Sequence, residues 1–227
     1  MPDETLLENV IPTRDALERL SHEGAPVLLR GCDLQALDLS RLDLADWRFE
    51  KCDLSRARLT GARLEDVTFD HCRAPGADFA AAMLSDTVID GGDFGNTSFL
   101  DATLSDVSFR RCKMTGTDLS GVSATAVSFD EVLLVLGMLP NFSFRKARLN
   151  GVDFSEADLR ACDFRDAVFT DCSLRDAHIV DCRFQGADLR GADLGGIRLT
   201  DASRFKGAVI SKRQAADLLA QLGLNVL

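Results

Sequence analysis

The sequence predicts a solenoid built from square coils, and three observations support this fold class. A large apolar residue returns at every fifth position from Leu34 to Leu199, and only Ala74 and Ala124 interrupt the series. A smaller apolar residue, often Ala or Cys, lies two positions before most of these large residues. The positions between them are mostly polar. Since helices repeat about every 3.6 residues and strands about every 2, a period of five indicates stacked coils whose four sides are each one repeat long.

We call the large residue of each repeat its centre. In a square coil, the centre and the smaller residue two positions before it both point inward, so stacked coils share a core that no single coil could bury. All seven cysteines occupy the smaller position, namely Cys32, Cys52, Cys72, Cys112, Cys162, Cys172 and Cys182. A small buried apolar role explains their spacing. We therefore expect free thiols, with no disulfide and no metal site.

Different segments flank the repeats on both sides. Residues 31–210 are assigned to the solenoid, with one extra residue at Ser203-Arg204-Phe205 that shifts the phase. Residues 1–30 are expected to cap its front with a short helix from Thr13 to Ser21, because apolar residues share one face and a glycine follows.

Residues 211–227 are expected to form a helix of about three turns and a short tail. Ser211 and Gln214 have the spacing of a capping box, and Gly223 is placed to end the helix. This segment either closes the open end of the solenoid or joins two copies across a two-fold axis. We favour the dimer. The apolar residues assigned to the dimer contact are Leu218, Leu219, Leu222, Leu224 and Val226.

One stretch of the repeats, DEVLLVLGMLPNFSF at residues 130–144, has apolar residues where polar ones are expected. Four apolar residues occupy positions that should face water, namely Leu133, Val135, Leu136 and Met138. Phe142 lies where a small residue belongs. One interpretation is an exposed apolar patch for a partner. Because the period of five resumes at Phe144, the sequence favours the other interpretation, a local bulge that covers these side chains.

The sequence offers no recognisable catalytic constellation. His22, His71 and His178 lie in unrelated contexts, and there is no glycine-rich phosphate loop and no Cys-x-x-Cys pair. We therefore expect neither an enzyme nor a bound cofactor or metal. The sequence also lacks an apolar run long enough to span a membrane and an export-type leader, so a cytoplasmic location is expected.

The charge of the chain suits a basic partner and opposes binding to nucleic acid. It carries 36 acidic and 26 basic residues, a net charge of −10. With 20 residues per coil, some of the carboxylates fall into two columns along the rod, each with one carboxylate about every 4.8 Å. The first column contains Asp46, Asp66, Asp86 and Asp106, and the second contains Glu50, Asp70 and Asp90.

The repeat resembles the pentapeptide-repeat family, whose pattern is Ala-(Asp/Asn)-Leu-x-x. That resemblance implies an all-β fold, a right-handed quadrilateral β-helix. Two stretches, QAADLLAQLGLNV at 214–226 and HCRAPGADF at 71–79, are similar to the topoisomerase-protecting members of this family, which include the Qnr quinolone-resistance group and the albicidin-immunity proteins. The stretches at 38–55 and 135–154 resemble the mycobacterial fluoroquinolone-resistance protein.

In the topoisomerase-protecting members, a dimer joined at its C-terminal ends imitates DNA and occupies the DNA-binding saddle of gyrase. The resemblance therefore implies DNA gyrase or another type II topoisomerase as the partner, and the two acidic columns as the partner-binding face. The alternative is a non-enzymatic scaffold solenoid for protein–protein interaction, whose charge serves solubility. The sequence leaves both functions open, and the resemblance favours the first.

Overall fold

The computed structural model describes residues 4–197, 202–220 and 223–224. The chain forms a parallel β-helix of about nine coils, which confirms the predicted solenoid. Bridges and strand pairs join residues 20 positions apart, such as Asp33 with Asp53 and Asp38 with Arg58. Four repeats of five residues therefore make each coil, and each coil pairs with the next in an unchanged register.

Each coil has four faces, which we number in chain order. The centres run from Leu34 to Leu194 on the first face, from Leu39 to Ile179 on the second, from Leu44 to Phe184 on the third, and from Phe49 to Leu189 on the fourth. The fourth face carries a nine-stranded sheet, the third a four-stranded sheet, and the first a two-stranded sheet.

The strands have two to four residues each, because one side of a square coil is only one repeat long. They are β1 (Thr5–Glu8), β2 (Val27–Arg30), β3 (Arg48–Glu50), β4 (Arg63–Glu65), β5 (Thr68–Asp70), β6 (Met83–Ser85), β7 (Val88–Asp90), β8 (Thr103–Ser105), β9 (Ser108–Arg110), β10 (Ser123–Thr125), β11 (Ser128–Asp130), β12 (Arg148–Asn150), β13 (Val168–Thr170), β14 (Cys172–Ser173) and β15 (Ala192–Asp193).

The corners of the coils explain why the polar positions of the repeat so often hold aspartate. The residue two after a centre turns the corner with a positive φ, for example 62° at Asp46, a conformation that Asn and Asp tolerate better than most side chains. The residue just before a centre often accepts a backbone hydrogen bond from two positions on. Asp53 Oδ1, for example, accepts from the Ser55 N–H at 2.9 Å.

The core is a continuous column of inward-pointing side chains. Of the centres that the structure describes, all are buried except Ala124 and Ile179, which are partly buried and pack against the core. Leu199 lies outside the described residues. Phenylalanine rings stack from coil to coil, with centroids 4.8 Å apart for Phe144–Phe164 and 5.0 Å apart for Phe164–Phe184.

A short helix precedes the solenoid, as the sequence predicts, and the same segment contributes strands that the sequence did not predict. Helix α1 (Arg14–Glu23) begins after Thr13, whose hydroxyl accepts from the Ala16 N–H at 3.3 Å, and it ends at Gly24, with a φ of 65°. Its Leu17 is fully buried. Strands β1 and β2 precede the first coil and are the first two strands of the nine-stranded sheet.

The C-terminal end also follows the sequence prediction. The extra residue lies at a short 3-10 helix (Ala202–Phe205), after which the Phe205 ring still stacks on Phe184 at 4.8 Å. Helix α2 (Lys212–Ala220) begins with the predicted capping box. The Gln214 side chain accepts from the Ser211 N–H at 2.6 Å, and the Ser211 hydroxyl accepts from the Gln214 N–H at 3.2 Å.

The bulge favoured for residues 131–143 is wrong. These residues form regular sides of a coil, in which Val132, Leu134 and Leu139 point inward. Leu133, Leu136 and Met138 therefore stay on the surface, 45%, 54% and 41% exposed. The regular period of five fixes which positions point outward, and here some of those positions hold apolar residues.

The cysteines are buried and unpaired, as their positions predict. The Cys112 thiol donates to the Ile89 carbonyl at 3.4 Å, and burial raises its pKa to about 11. A thiol in this environment is a poor nucleophile at neutral pH.

Burial predicts that the native protein resists thiol reagents. With a polar maleimide at pH 8, we expect almost no labelling within an hour in buffer, and labelling of all seven cysteines in denaturant, measured by intact mass. Rapid native labelling at Cys72 or Cys162 would contradict the inward placement of these residues.

Truncating one ring of the core should destabilise the whole rod. Phe79 is fully buried and stacks on Phe99 with centroids 4.8 Å apart, so Phe79→Ala is expected to lower the free energy of unfolding by about 3–5 kcal/mol. Urea denaturation measures the loss. The matched control is Met83→Ala, whose side chain is 52% exposed and should change stability little. Similar effects for both variants would be inconsistent with this core.

Candidate protein-binding surface

The described parts of the chain offer a surface for binding, and no cluster of metal-ligating side chains. In these parts, no group of three or more His, Cys, Asp or Glu residues is arranged to hold a metal ion. Among the described residues, no helix has the length and apolar character of a membrane span. His71 is close to one carboxylate, Asp70, with Nδ1 2.6 Å from Oδ1. The two acidic columns predicted from the sequence lie on the described surface.

The structure assembles the first acidic column at the corner between the third and fourth faces. Asp46, Asp66, Asp86 and Asp106 are all exposed. The Asp46 N–H donates to the Glu65 carbonyl at 2.9 Å, next to Asp66, and the equivalent contact recurs at Asp66, Asp86 and Asp106. Among the ion pairs of the described residues, none involves these four carboxylates. The column is thus a line of uncompensated negative charges at the coil spacing.

Corner geometry alone does not explain this column. Other corners adopt the same left-handed conformation with different residues, such as Arg41, Lys51, Arg56 and Ala81. The corner therefore tolerates aspartate without requiring it. Over the front half of the rod, only the corner between the third and fourth faces repeats the same acidic residue in four successive coils.

The second acidic column differs, because basic side chains compensate it. Glu50 accepts from Arg30 at 2.8 Å, and Asp90 pairs with Arg111 at 2.5 Å. Asp70 is the residue beside His71. The sequence placed this column correctly, but it could not show that side chains 20 or 21 positions away in the chain neutralise it. Of the two columns, the first therefore carries the uncompensated carboxylates.

Charge is also distributed unevenly along the rod. Residues 1–120 contain 22 acidic and 13 basic residues, whereas residues 121–227 contain 14 and 13. In the rear half, arginine often lies two positions after an aspartate on the same face and binds it. Arg160 hydrogen-bonds Asp158 at 2.6 Å and holds the pKa of that carboxyl below its ordinary value, and Arg165 does the same for Asp163.

The residues assigned to dimerisation divide into inward-facing and outward-facing ones. Leu218 is 8% exposed and packs on the core of its own chain, and the Gln214 amide donates to the Leu189 and Ala192 carbonyls, both at 2.7 Å. Helix α2 thus closes the end of the solenoid. Outward-facing apolar surface remains at Leu219 and Leu224, 37% and 53% exposed. Two further assigned residues, Leu222 and Val226, lie outside the described residues.

Family comparison agrees with the geometry of the coils. Models described as "Pentapeptide repeat region", "Pentapeptide repeats (9 copies)" and "Pentapeptide repeats (8 copies)" match residues 62–136, residues 140–178, and residues 28–66 and 167–203, respectively. The chain belongs to the pentapeptide-repeat family. The matched segments together span most of the solenoid of this pentapeptide-repeat protein. No curated protein matches it.

Solved structures similar to this pentapeptide-repeat protein include two forms of QnrB1, described as a plasmid-mediated fluoroquinolone resistance protein. The full-length form is 19% identical with a TM-score of 0.40, and the alignment covers 98% of this chain and 99% of that one. A trypsin-treated form is 18% identical with a TM-score of 0.47, covering 99% and 98%. HetL of Nostoc sp. strain PCC 7120, a protein involved in heterocyst differentiation regulation, is 21% identical with a TM-score of 0.38, covering 83% and 87%.

Proposed function

We propose that this pentapeptide-repeat protein is a DNA mimic that binds the DNA-binding surface of a type II topoisomerase, DNA gyrase in particular, and protects or modulates that enzyme. It acts by binding in the cytoplasm and catalyses no reaction itself. Resistance to topoisomerase inhibitors is the expected consequence. The single observation that carries this proposal is the uncompensated column of Asp46, Asp66, Asp86 and Asp106.

The spacing of the column suits a surface that binds DNA. One carboxylate about every 4.8 Å is a somewhat wider spacing than the one phosphate per about 3.4 Å of helix axis on a single DNA strand. Basic side chains that contact successive phosphates can meet successive carboxylates of the rod. Such charges increase the association rate and are screened by salt.

The flanks of the column also favour contact with a basic partner. Residues 61–109 carry nine carboxylates and only two arginines, Arg63 and Arg73. Beside Asp66, Asp86 and Asp106, the side chains on the fourth face are short and uncharged, namely Thr68, Val88 and Ser108. The equivalent residue beside Asp46 is Arg48, which pairs with Glu4 at 2.5 Å. Because no long cation lies between Asp66, Asp86 and Asp106, a partner's arginines and lysines can reach them without displacing an ion pair.

Removing the column should abolish most of the binding while leaving the fold intact. Asp46, Asp66, Asp86 and Asp106 changed together to Asn keep side chains that tolerate the left-handed corner, so stability should be unchanged or slightly raised. Affinity for purified gyrase is expected to fall more than about tenfold, and the effect on supercoiling should weaken in parallel. Wild-type affinity should also fall as salt is added.

The matched control removes the same number of charges at corners with the same backbone conformation. Asp101, Asp166, Asp171 and Asp176 lie one on each of the four corners, with Asp166 three coils beyond Asp106 on the corner of the column, and they also have positive φ angles, between 50° and 60°. Their joint change to Asn should weaken binding much less than loss of the column. Equal losses would show that net charge alone binds the partner. If the wild type neither binds gyrase nor alters supercoiling, the scaffold function replaces this proposal.

We also propose that two chains join tail to tail through the exposed apolar surface of the C-terminal segment. In light scattering at micromolar concentration, the wild type should have twice the chain mass of 24.7 kDa. Leu219→Glu with Leu224→Glu should yield a folded monomer, because both side chains face outward. The control, Val180→Glu, changes an exposed residue away from this segment and should remain dimeric. A monomeric wild type would rule out the dimer and leave helix α2 as a lid only.

A further inference from the structure

The coils do not pair equally along the whole rod. On the third face, the four-stranded sheet ends at β10, although the coils continue beyond it. On the fourth face, β11 and β12 share the single pair Asp130–Asn150, whereas β12 and β13 share three pairs. We call the boundary between residues 121–129 and 140–148 the seam.

Backbone hydrogen bonds that join other coils are missing at the seam. One coil further on, the Asp163 N–H donates to the Phe142 carbonyl at 3.0 Å. The equivalent donor at the seam, Ser143, has no such bond to Val122, and both residues lie within the described range 4–197. The amides that lack their expected partner across the seam are those of Gly121, Ala124, Ala126, Ser143 and Arg148.

Two exceptions to the repeat pattern meet at the seam and account for it. Ala124 is a centre with a small side chain, and Phe142 is a large residue in the position where the same column has Ala82 and Ala102. The Phe142 ring lies 4.7 Å from that of Phe144 and 5.9 Å from that of Phe129. A ring of this size next to the core keeps the two coils from closing to normal ladder distance on the third face.

The opposite side of the same coils remains paired. The Met114 N–H donates to the Leu133 carbonyl at 2.8 Å on the first face, and the Leu119 N–H donates to the Met138 carbonyl at 2.7 Å on the second. The two halves of the rod are therefore connected along the first two faces and at Asp130–Asn150, and they are unpaired along the third face. Such an arrangement has the geometry of a hinge.

We propose that the rod bends at the seam, with the paired first and second faces as the hinge and the third face opening and closing. Over residues 31–190, each other boundary between coils is paired on all four sides, so bending concentrates where the ladder is missing. Asp106 is the last carboxylate of the acidic column, and the next position of that column is Ala126, which lies in the seam. Bending therefore changes the angle between the acidic front half and the C-terminal end of the chain. The hinge stands on backbone geometry and does not depend on the proposed partner.

Spin-label distances across the seam test the hinge in the full chain. One pair, Met83→Cys with Arg183→Cys, spans five coils on the third face, and a matched pair, Arg73→Cys with Ser173→Cys, spans five coils on the first face. Both pairs lie about 24 Å apart by coil spacing. The native cysteines are buried, which directs the label to the introduced ones. Labelled chains are diluted with unlabelled chains, so that each dimer carries one labelled pair.

The third-face pair is expected to have a distance distribution at least about twice as wide as that of the first-face pair. Equal widths in the otherwise wild-type protein would overturn the hinge. A repaired variant, Ala124→Leu with Phe142→Ala, restores the repeat pattern and should narrow the third-face distribution to that of the control pair. If the repaired chain folds and its third-face distribution stays wide, the motion does not arise at the seam and the proposal fails. If it does not fold, the comparison of the two wild-type pairs decides.

Discussion

Every coil of this protein depends on its neighbours for backbone hydrogen bonding and for the covering of its apolar side chains. A single five-residue side forms two or three residues of strand, which have no stability alone. Stacking at a constant offset of 20 residues supplies both the ladder and the core at once. The two ends lack such a neighbour on one side. Helix α1 with β1 and β2 covers the front, and helix α2 covers the rear, where the Gln214 amide bonds two carbonyls of the last coil.

Periodicity in the sequence was sufficient to predict most of the fold. The spacing of large and small apolar residues identified the inward positions, including all seven cysteines. The apolar face before Gly24 and the capping box at Ser211 located the two helices. Strands β1 and β2 could not be predicted, because residues 4–30 do not follow the repeat and their pairing depends on the first coil. The prediction for the surface leucines near Leu136 was wrong, because each repeat position has a fixed direction and this direction outweighs the tendency of apolar residues to be buried.

The candidate site was predicted less completely, since charge depends on neighbours that are distant in sequence. Periodicity located Asp66 and Glu50 in their columns, but only the structure shows that Arg30 compensates Glu50 and that Asp66 has no comparable ion pair among the described residues. Many other aspartates have a local role in the corners, such as Asp53. The total of 36 acidic residues therefore overstates the number of carboxylates that are available to a partner.

In a rod with a square cross-section, the number of residues inserted or deleted determines whether the later side chains stay on their original face. Deleting 20 residues would shorten the rod by one coil and leave every later side chain on its original face. Deleting five would keep every later centre pointing inward, yet it would rotate the remaining surface by a quarter turn. Indels in multiples of five are thus compatible with the core, and those that are not multiples of twenty reassign surface residues to new faces. Such insertions and deletions can therefore relocate a binding stripe to another face of the rod during evolution while the core stays unchanged.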